Sequence, residues 1–371
     1  MSTRARIYLD FNATSPLVGP ARDAITAAMA EVGNPSSVHA EGRRARDRVE
    51  HARAQVAALA GRPRDQIVFT SGGTEANALG VLALAKVAED RGLPRVVATS
   101  ALEHPSLRGA VDALVRRGWA VHQLPIDARG AIGIGTDDVG LLAIASVNHE
   151  LGTRLGDEVI DWARARGALV HVDAVQAAGK TSLAVVAADA LAISAHKLGG
   201  PQGVGALAIA VDGGLPIVDG GHQERGRRGG TENTLGIVGF GAAAAAIDVA
   251  TWGAVEALGL RLQAGLERLD GVRIHAREAP RFTSTINAGF AGALGESIVI
   301  ALDLEGIAVS TGAACTSGSV QPSAVLLGLG LTPDRAREAV RFSLGRQTTT
   351  AEIDRVLAVL PTLLERARKH H

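Results

Sequence analysis

The sequence predicts an α/β protein: a mostly parallel central sheet covered on both faces, followed by a smaller α+β lobe. Three observations predict it. Short, nearly continuous apolar runs alternate with helical segments as far as Ala210, the pattern of strands buried on both faces by crossover helices. After the polar loop 219–230 the chain turns to helical periodicity from Thr234 to about Leu269. Beyond it come weaker strands and further helices, as in a mixed appendage. At 371 residues the chain has room for two domains, or for one large domain with an appendage.

Each element follows from its own pattern. Ile7-Tyr8-Leu9 is a short strand leading into the polar turn Asp10 to Pro16. From Arg43 to Ala60, the apolar residues Ala45, Val49, Ala52, Val56 and Leu59 recur at spacings of four and three. That gives a helix with one buried face and an arginine-rich outer one. Gln66 to Thr70 reads as a strand that breaks at Ser71-Gly72-Gly73 into a helix beginning at Thr74. Apolar runs at 96–99, 119–124, 141–146, 168–172, 190–194 and 205–210 supply the rest of the sheet. In the lobe, strands are expected at 272–275, 283–287 and 307–310, with helices near Pro322 and Ala351.

Composition removes several function classes. Hydrophobic residues make up 47% and charged ones 20%, with a mean hydropathy of +0.17, too apolar for a disordered chain. The net charge of +0 and 3% aromatic content give no basis for a nucleic-acid partner. The longest apolar stretch, Gly236 to Ile247, is shorter than the ~18–20 residues a membrane span needs. Arg4, Arg6 and Asp10 occupy the place where a secretory signal would need its apolar core; a cytoplasmic protein is expected. One cysteine, Cys315, leaves no intramolecular disulfide and no multi-cysteine metal cage, and no metal site is expected.

Four segments offer chemistry. Lys197 directly follows an apolar strand in the Gly/Pro-rich stretch Ser194 to Pro201, where α/β sheets form ligand crevices. Partial burial there would make it a nucleophile able to form a Schiff base; in isolation it reads first as a solvated loop lysine. Asp173, at the end of the strand run Val170-His171-Val172, could keep a pyridinium nitrogen protonated or simply cap a helix. Thr70 to Glu75 is a glycine turn opening a helix, suited to a phosphate or merely a tight connection. His104, in Glu103-His104-Pro105, sits just past another strand and on its own is an ordinary loop histidine.

Nine segments in this order resemble the cysteine desulfurases of the NifS/IscS kind, within the class V aminotransferase-like group of fold-type I pyridoxal-phosphate enzymes. They are YLDFNATSP, GNPSSVH, FTSGGTEAN, EHPSL, HVDAVQ, SAHKLGGPQGVG, GGHQERGRRGGTEN, STGAACTSG and RFSLGR, running from Ile7 to about Arg346. The resemblance implies a large cofactor domain at 15–255. It also implies a small domain made of 1–14 and 256–371 that carries the Cys315 loop. Lys197 would then hold pyridoxal 5′-phosphate as a Schiff base, with Asp173 at the ring nitrogen, Gln176 at the phenolic oxygen, and His104 stacked on the ring moving protons. Gly73, Thr74, Ser194 and His196 would hold the phosphate, joined by Thr231 from the second subunit of a homodimer. Arg341 would clamp the carboxylate of L-cysteine, Asn148 would lie near ring and substrate, and Cys315 would take the sulfur as a persulfide for an unidentified acceptor protein.

Two positions leave the family pattern. Where a pair of asparagines is common, this chain has Asn148-His149, and Ala13-Thr14-Ser15-Pro16 replaces Ala-Thr-Thr-Pro. If His149 lies beside the substrate carboxylate, it is expected to titrate near neutrality and to bind that carboxylate better when protonated. The nearest rival reading is another pyridoxal-phosphate lyase of the same fold, acting on selenocysteine or on the cysteine C–S bond without Cys315. A cofactor-binding sulfur relay without turnover, and a nucleic-acid contact through Arg225 to Gly230, rank below it.

Overall fold

The computed structural model describes residues 6–211, 218–312 and 321–369. In chain order the first part comprises β1 (Ile7–Tyr8), α1 (Gly19–Met29), α2 (Ala40–Ala60), β2 (Ile67–Thr70), α3 (Gly73–Asp90), β3 (Val96–Thr99), α4 (Pro105–Val115) and β4 (Ala120–Gln123). Then follow β5 (Leu141–Ala145), α5 (Asp157–Ala165), β6 (Leu169–Asp173), β7 (Ala190–Ser194) and β8 (Gly205–Ile209). Seven of these strands form one sheet in the order β2-β8-β7-β6-β5-β3-β4. β8 runs antiparallel to both neighbours and the other six run parallel to one another.

Alternation along the strands divides the core in two. Ile67, Phe69, Val170, Val172, Leu191 and Ile193 point to one face, where they pack with residues of α2 and α5. Val68, Leu141, Ala143, Leu169, Ala190 and Ala192 point to the other, against α3 and α4. Each fully buried aliphatic or phenyl side chain contributes roughly 1.5–3 kcal/mol. Because both faces are covered, almost every residue of β5, β6, β7 and β8 is buried. The edge strand β4 is largely exposed.

The long helix expected from Thr234 to Leu269 is two helices, α6 (Thr234–Ala245) and α7 (Trp252–Leu266), meeting at 64°. Asp248 makes the break: its side chain accepts from Ala250 N at 3.0 Å and caps the 3-10 turn Val249–Thr251. Helical periodicity continues across the turn, which is why the pattern reads as one helix. The domain division expected at 255 falls inside α7. From α7, the Glu256 carboxylate accepts from Thr283 N (2.7 Å) and Ser284 N (3.1 Å), tying the helix to the following lobe.

That lobe contains β9 (Val272–Ile274), β10 (Thr285–Phe290), α8 (Gly295–Leu304), β11 (Ile307–Ala308), α9 (Ala324–Gly328), α10 (Pro333–Arg337), β12 (Ala339–Ser343) and α11 (Thr350–Lys369). β10 is the centre of an antiparallel sheet ordered β12-β10-β9. The chain's own beginning completes the lobe: β1 pairs in parallel with β11, and Asp10 bridges to Ser343.

Candidate active site

Parallel strands end on the same side of a sheet, so the residues after them converge. Here β2 leads to Gly73 and Thr74, β3 to His104, β5 to His149, β6 to Asp173 and Gln176, and β7 to Lys197; all line one cavity of about 610 Å³. Arg341 reaches the same cavity from β12.

Lys197 closes a 3-10 turn that starts at Ala195, directly after β7. Its Nζ donates to the backbone carbonyls of Asn12 (2.5 Å) and Ala13 (2.8 Å). Burial, with the Arg341 charge adding to it, brings the amine down to about 8, although Asp10 and Asp173 act in the opposite direction. Roughly a tenth of this lysine is then the free amine at pH 7, far more than for an ordinary lysine, and the free amine is the form that attacks an aldehyde. A second lysine, Lys180, lies behind it: its Nζ donates to Asn12 Oδ1 and Gln176 Oε1, both at 3.2 Å. Burial lowers it to about 7. Gln176 in turn donates from Nε2 to Asn12 O at 3.0 Å.

Asp173 is held by a network the sequence does not advertise. Its Oδ1 accepts from Val175 N (2.9 Å) and its Oδ2 from Asn77 Nδ2 (2.7 Å). The same amide nitrogen donates to Ser106 Oγ (3.0 Å), and Ser106 Oγ lies 2.8 Å from His104 Nδ1. Ser106 N also donates to that Nδ1 (3.1 Å), so the network leaves the neutral His104 ring with its proton on Nε2. Behind Asn77, its Oδ1 is 2.9 Å from His171 Nε2, which donates. One asparagine thus orients both the carboxylate and the histidine of the cavity. Burial raises the Asp173 carboxyl and pushes its neighbour Glu103 up to about 8, the Asp173 charge contributing. At pH 7 the Glu103 carboxyl is therefore mostly protonated.

His171 is completely buried, and burial drops its pKa to about 3. Gly80 makes room for it, since a Cβ there would sit 2.4 Å from His171 Nδ1. The unfolded chain takes up this proton near 6.5 and the folded chain only near 3. Stability is therefore lost as pH falls from about 6.5 towards 3, and this one group costs about 2 kcal/mol at pH 5. Urea unfolding at pH 7 and pH 5 should show that much more pH dependence in the wild type than in His171→Asn. Equal pH dependence in the two proteins would mean that His171 is not kept neutral.

The other end of the cavity suits an anion. The N-terminus of α3 opens onto it through Gly73 and Thr74, where unpaired backbone N–H groups favour a phosphate. Ser194 Oγ is buried with no hydrogen-bond partner among the described residues, and His196, brought down to about 4 by burial, lines the same region. Thr231 of this chain is elsewhere, exposed in a separate small cleft with Thr70, Ser71 and Gly203.

Arg341 is almost fully buried. Its NH2 pairs with Asp10 Oδ1 at 2.7 Å, its NH1 donates to His149 O at 3.2 Å, and its Nε has no partner among the described residues. His149 differs from expectation. Its ring packs edge-on to His104 with centroids 4.8 Å apart. Burial and the nearby His104, Arg341 and Lys197 charges hold it well below 6.5. It lines the cavity as a neutral ring, so no histidine titration near neutrality is expected in substrate affinity. Asn148, expected near ring and substrate, is not on the cavity wall. Its Oδ1 accepts from Glu150 N and Leu151 N (both 2.9 Å) and its Nδ2 donates to Leu102 O (2.7 Å). The side chain shapes the 148–152 turn instead. Cys315 lies outside the described residues.

Sequence reasoning missed Asn12, Asn77, Glu103 and Glu150. Asn12 is the hub of the cavity floor: besides the bonds from Lys197 and Gln176, its Nδ2 donates to His149 O and Thr285 Oγ1, both at 3.0 Å. All four lie inside or beside the quoted motifs, and only their position in motifs could have marked them.

Sheet and cavity together place a half-buried lysine of lowered pKa at the strand ends of an α/β fold. Three comparisons narrow the class. The class-V aminotransferase family pattern matches residues 7–356. A cysteine desulfurase of Cereibacter sphaeroides is 40% identical, covering 98% of this chain and 97% of its own. Among solved structures, a NifS-like protein superposes with a TM-score of 0.88 at 31% identity, covering 98% of this chain and all of its own. SspA in complex with cysteine superposes with a TM-score of 0.80 at 27% identity over 93% of this chain and all of its own. The chain belongs to the class-V aminotransferase family and, within it, to the cysteine desulfurases.

Proposed function

We propose that this enzyme binds pyridoxal 5′-phosphate in the Lys197 cavity and converts L-cysteine to L-alanine, leaving the sulfur on Cys315 as a persulfide for an acceptor protein. The carrying observation is the convergence in one cavity of Lys197 with its lowered pKa, a buried Asp173 fixed by Asn77, and the Ser194 hydroxyl, unpartnered among the described residues, beside the α3 N-terminus. Those residues fit the cofactor's aldehyde, ring nitrogen and phosphate respectively. Bound there, the cofactor supplies an electron sink for loss of the substrate's α-proton.

The chain's residues divide the remaining work. Asp173, held by two hydrogen bonds, is the carboxylate that would face the ring nitrogen and favour its protonated form. Arg341, its Nε–H unpartnered among the described residues, would take the substrate carboxylate through a charge-assisted hydrogen bond. His104, kept neutral by burial, holds its proton on the nitrogen facing away from Ser106. Cys315 Sγ bonds the substrate sulfur as the C–S bond breaks, and that bond's electron pair passes to carbon and takes up a proton. The cysteine in the SspA complex supports the substrate class. The test is to incubate the cofactor-loaded protein with L-cysteine and assay alanine and sulfane sulfur. Equal amounts of the two are expected, and no alanine would overturn the reading.

A two-fold homodimer belongs to the same proposal. This chain's Thr231 is outside the cavity, yet its loop is firmly built. Glu224, at φ 48°, accepts from Arg53 at 2.6 and 2.9 Å and from Phe69 N at 2.8 Å. A loop anchored this way presents Thr231 outward, where a second copy's phosphate site would receive it. Thr231→Val should weaken cofactor binding by about tenfold, the loss of one hydrogen bond to a charged group. Mixed dimers of Thr231→Val with a chain lacking Lys197 should recover one wild-type-like site if the threonine acts in trans. No recovery would place the threonine in its own subunit's site.

A further inference from the structure

Lys180 is an amine that the proposed chemistry does not use. It is not on the wall of the Lys197 cavity but behind its floor, bordering a separate cleft of about 80 Å³ with Phe11, Trp252 and Arg346. Its place is fixed from two sides. The backbone turns tightly before it, Ala178 N donating to Ala174 O and Lys180 N to Ala177 O, both at 2.9 Å. Its Nζ sits 5.5 Å from the centre of the Trp252 ring, whose face favours a cation. From there it meets two amides at once, donating to Gln176 Oε1 and to Asn12 Oδ1, both at 3.2 Å. A lysine ammonium has donors and no acceptor, so each amide must turn its oxygen towards it and its nitrogen away. Asn12 Nδ2 then serves His149 O and Thr285 Oγ1, both at 3.0 Å. Gln176 Nε2 gives one N–H to Asn12 O at 3.0 Å. Its other N–H has no partner among the described residues, and Gln176 lines the cavity.

We propose that Lys180 is a positioning residue for the cofactor, which orients the Gln176 amide so that its second N–H is held for the phenolic oxygen of bound pyridoxal 5′-phosphate. The inference rests on the proposed cofactor and on Gln176 facing that oxygen. Without Lys180 the amide loses the group that tells its two ends apart. It then turns its own oxygen to the phenolic oxygen for part of the time, acceptor against acceptor. Burial first, then the Lys197, Arg341 and Arg346 charges, bring Lys180 down to about 7, with Glu256 opposing. At about pH 6 the donor-only ammonium therefore predominates.

The test is a double-mutant cycle on the full-length protein at that pH, reading the dissociation constant of pyridoxal 5′-phosphate and the visible absorption band of the bound cofactor. Gln176→Leu and Lys180→Met are each expected to weaken cofactor binding about tenfold, the loss of one hydrogen bond to a charged group, and to move the band in the same direction. In the double variant the Lys180 change should add less than about twofold, because both changes act through one amide. Lys180→Arg, also donor-only, should keep both readouts near wild type. Lys180→Gln serves if Lys180→Met does not fold, since an amide can face Gln176 with either end and imposes no orientation. Wild-type affinity and band in Lys180→Met or Lys180→Gln would overturn the proposal. So would full additivity in the double variant, which would assign Lys180 to the fold or to its charge alone. A Gln176→Leu protein with unchanged affinity and band would overturn the placement of Gln176 at the phenolic oxygen, and the proposal with it. A wild type that binds no cofactor would overturn the proposed function itself.

Discussion

Lys197→Ala is expected to lower alanine formation at least about a thousandfold, because on the proposed reading this side chain is the covalent anchor for the cofactor. The geometry makes this lysine hard to replace. It is the one whose Nζ rests on the Asn12 and Ala13 carbonyls at the cavity floor. Burial and Arg341 hold it at about 8, well below an ordinary lysine. Lys180 is lower still, at about 7, but is engaged behind Gln176 and Asn12. Borohydride treatment of the loaded wild type, followed by peptide mapping, should find the cofactor on Lys197. An adduct on Lys180 with Lys197 unmodified would invert the assignment, and a Lys197→Ala protein with near-normal turnover would remove Lys197 from the chemistry.

Cys315→Ala should be nearly as severe for sulfur transfer and nearly silent for everything before it. The variant should bind cofactor normally and show the same visible absorbance change when L-cysteine is added, since Lys197, Asp173 and Arg341 are untouched. Alanine and protein-bound sulfane sulfur should both fall by at least about a hundredfold. The measurement also separates this enzyme from a lyase of the same fold. A lyase would release its sulfur product from the Cys315→Ala protein at the wild-type rate, with or without reductant. A variant that fails to respond to cysteine at all would assign Cys315 to substrate binding rather than to attack.

The sequence made the sheet legible because strands covered on both faces are apolar at nearly every position. Val170 to Val172 and Ala190 to Ile193 read as strands without help. Direction was not legible: β8 is as apolar as its parallel neighbours, and only its hydrogen bonds show that it runs the other way. Lys197, Asp173 and Arg341 were found through motif resemblance, and the structure brings them to one cavity. Asn77 was not found. An amide within a helix next to alanines reads as a filler, and its use appears only when β6 places Asp173 and His171 on either side of it. His149 failed in the opposite way: its neighbours in sequence suggested a substrate contact, but its ionisation is decided by burial, which no local pattern encodes.

The pairing of the chain's two ends has a consequence for biosynthesis. Asp10 meets Arg341, and Asn12 N meets Ser343 Oγ, each across 331 residues. At about 5–20 residues per second, ribosomes need roughly 15–70 s to cover that distance. During that interval Ile7 and Leu9, both buried in the finished core, are in water without their partners, a target for chaperones. Asn12, the residue on which Lys197 rests, waits for Ser343 in the same way. The cavity floor is therefore fully held only once Ser343 has been made.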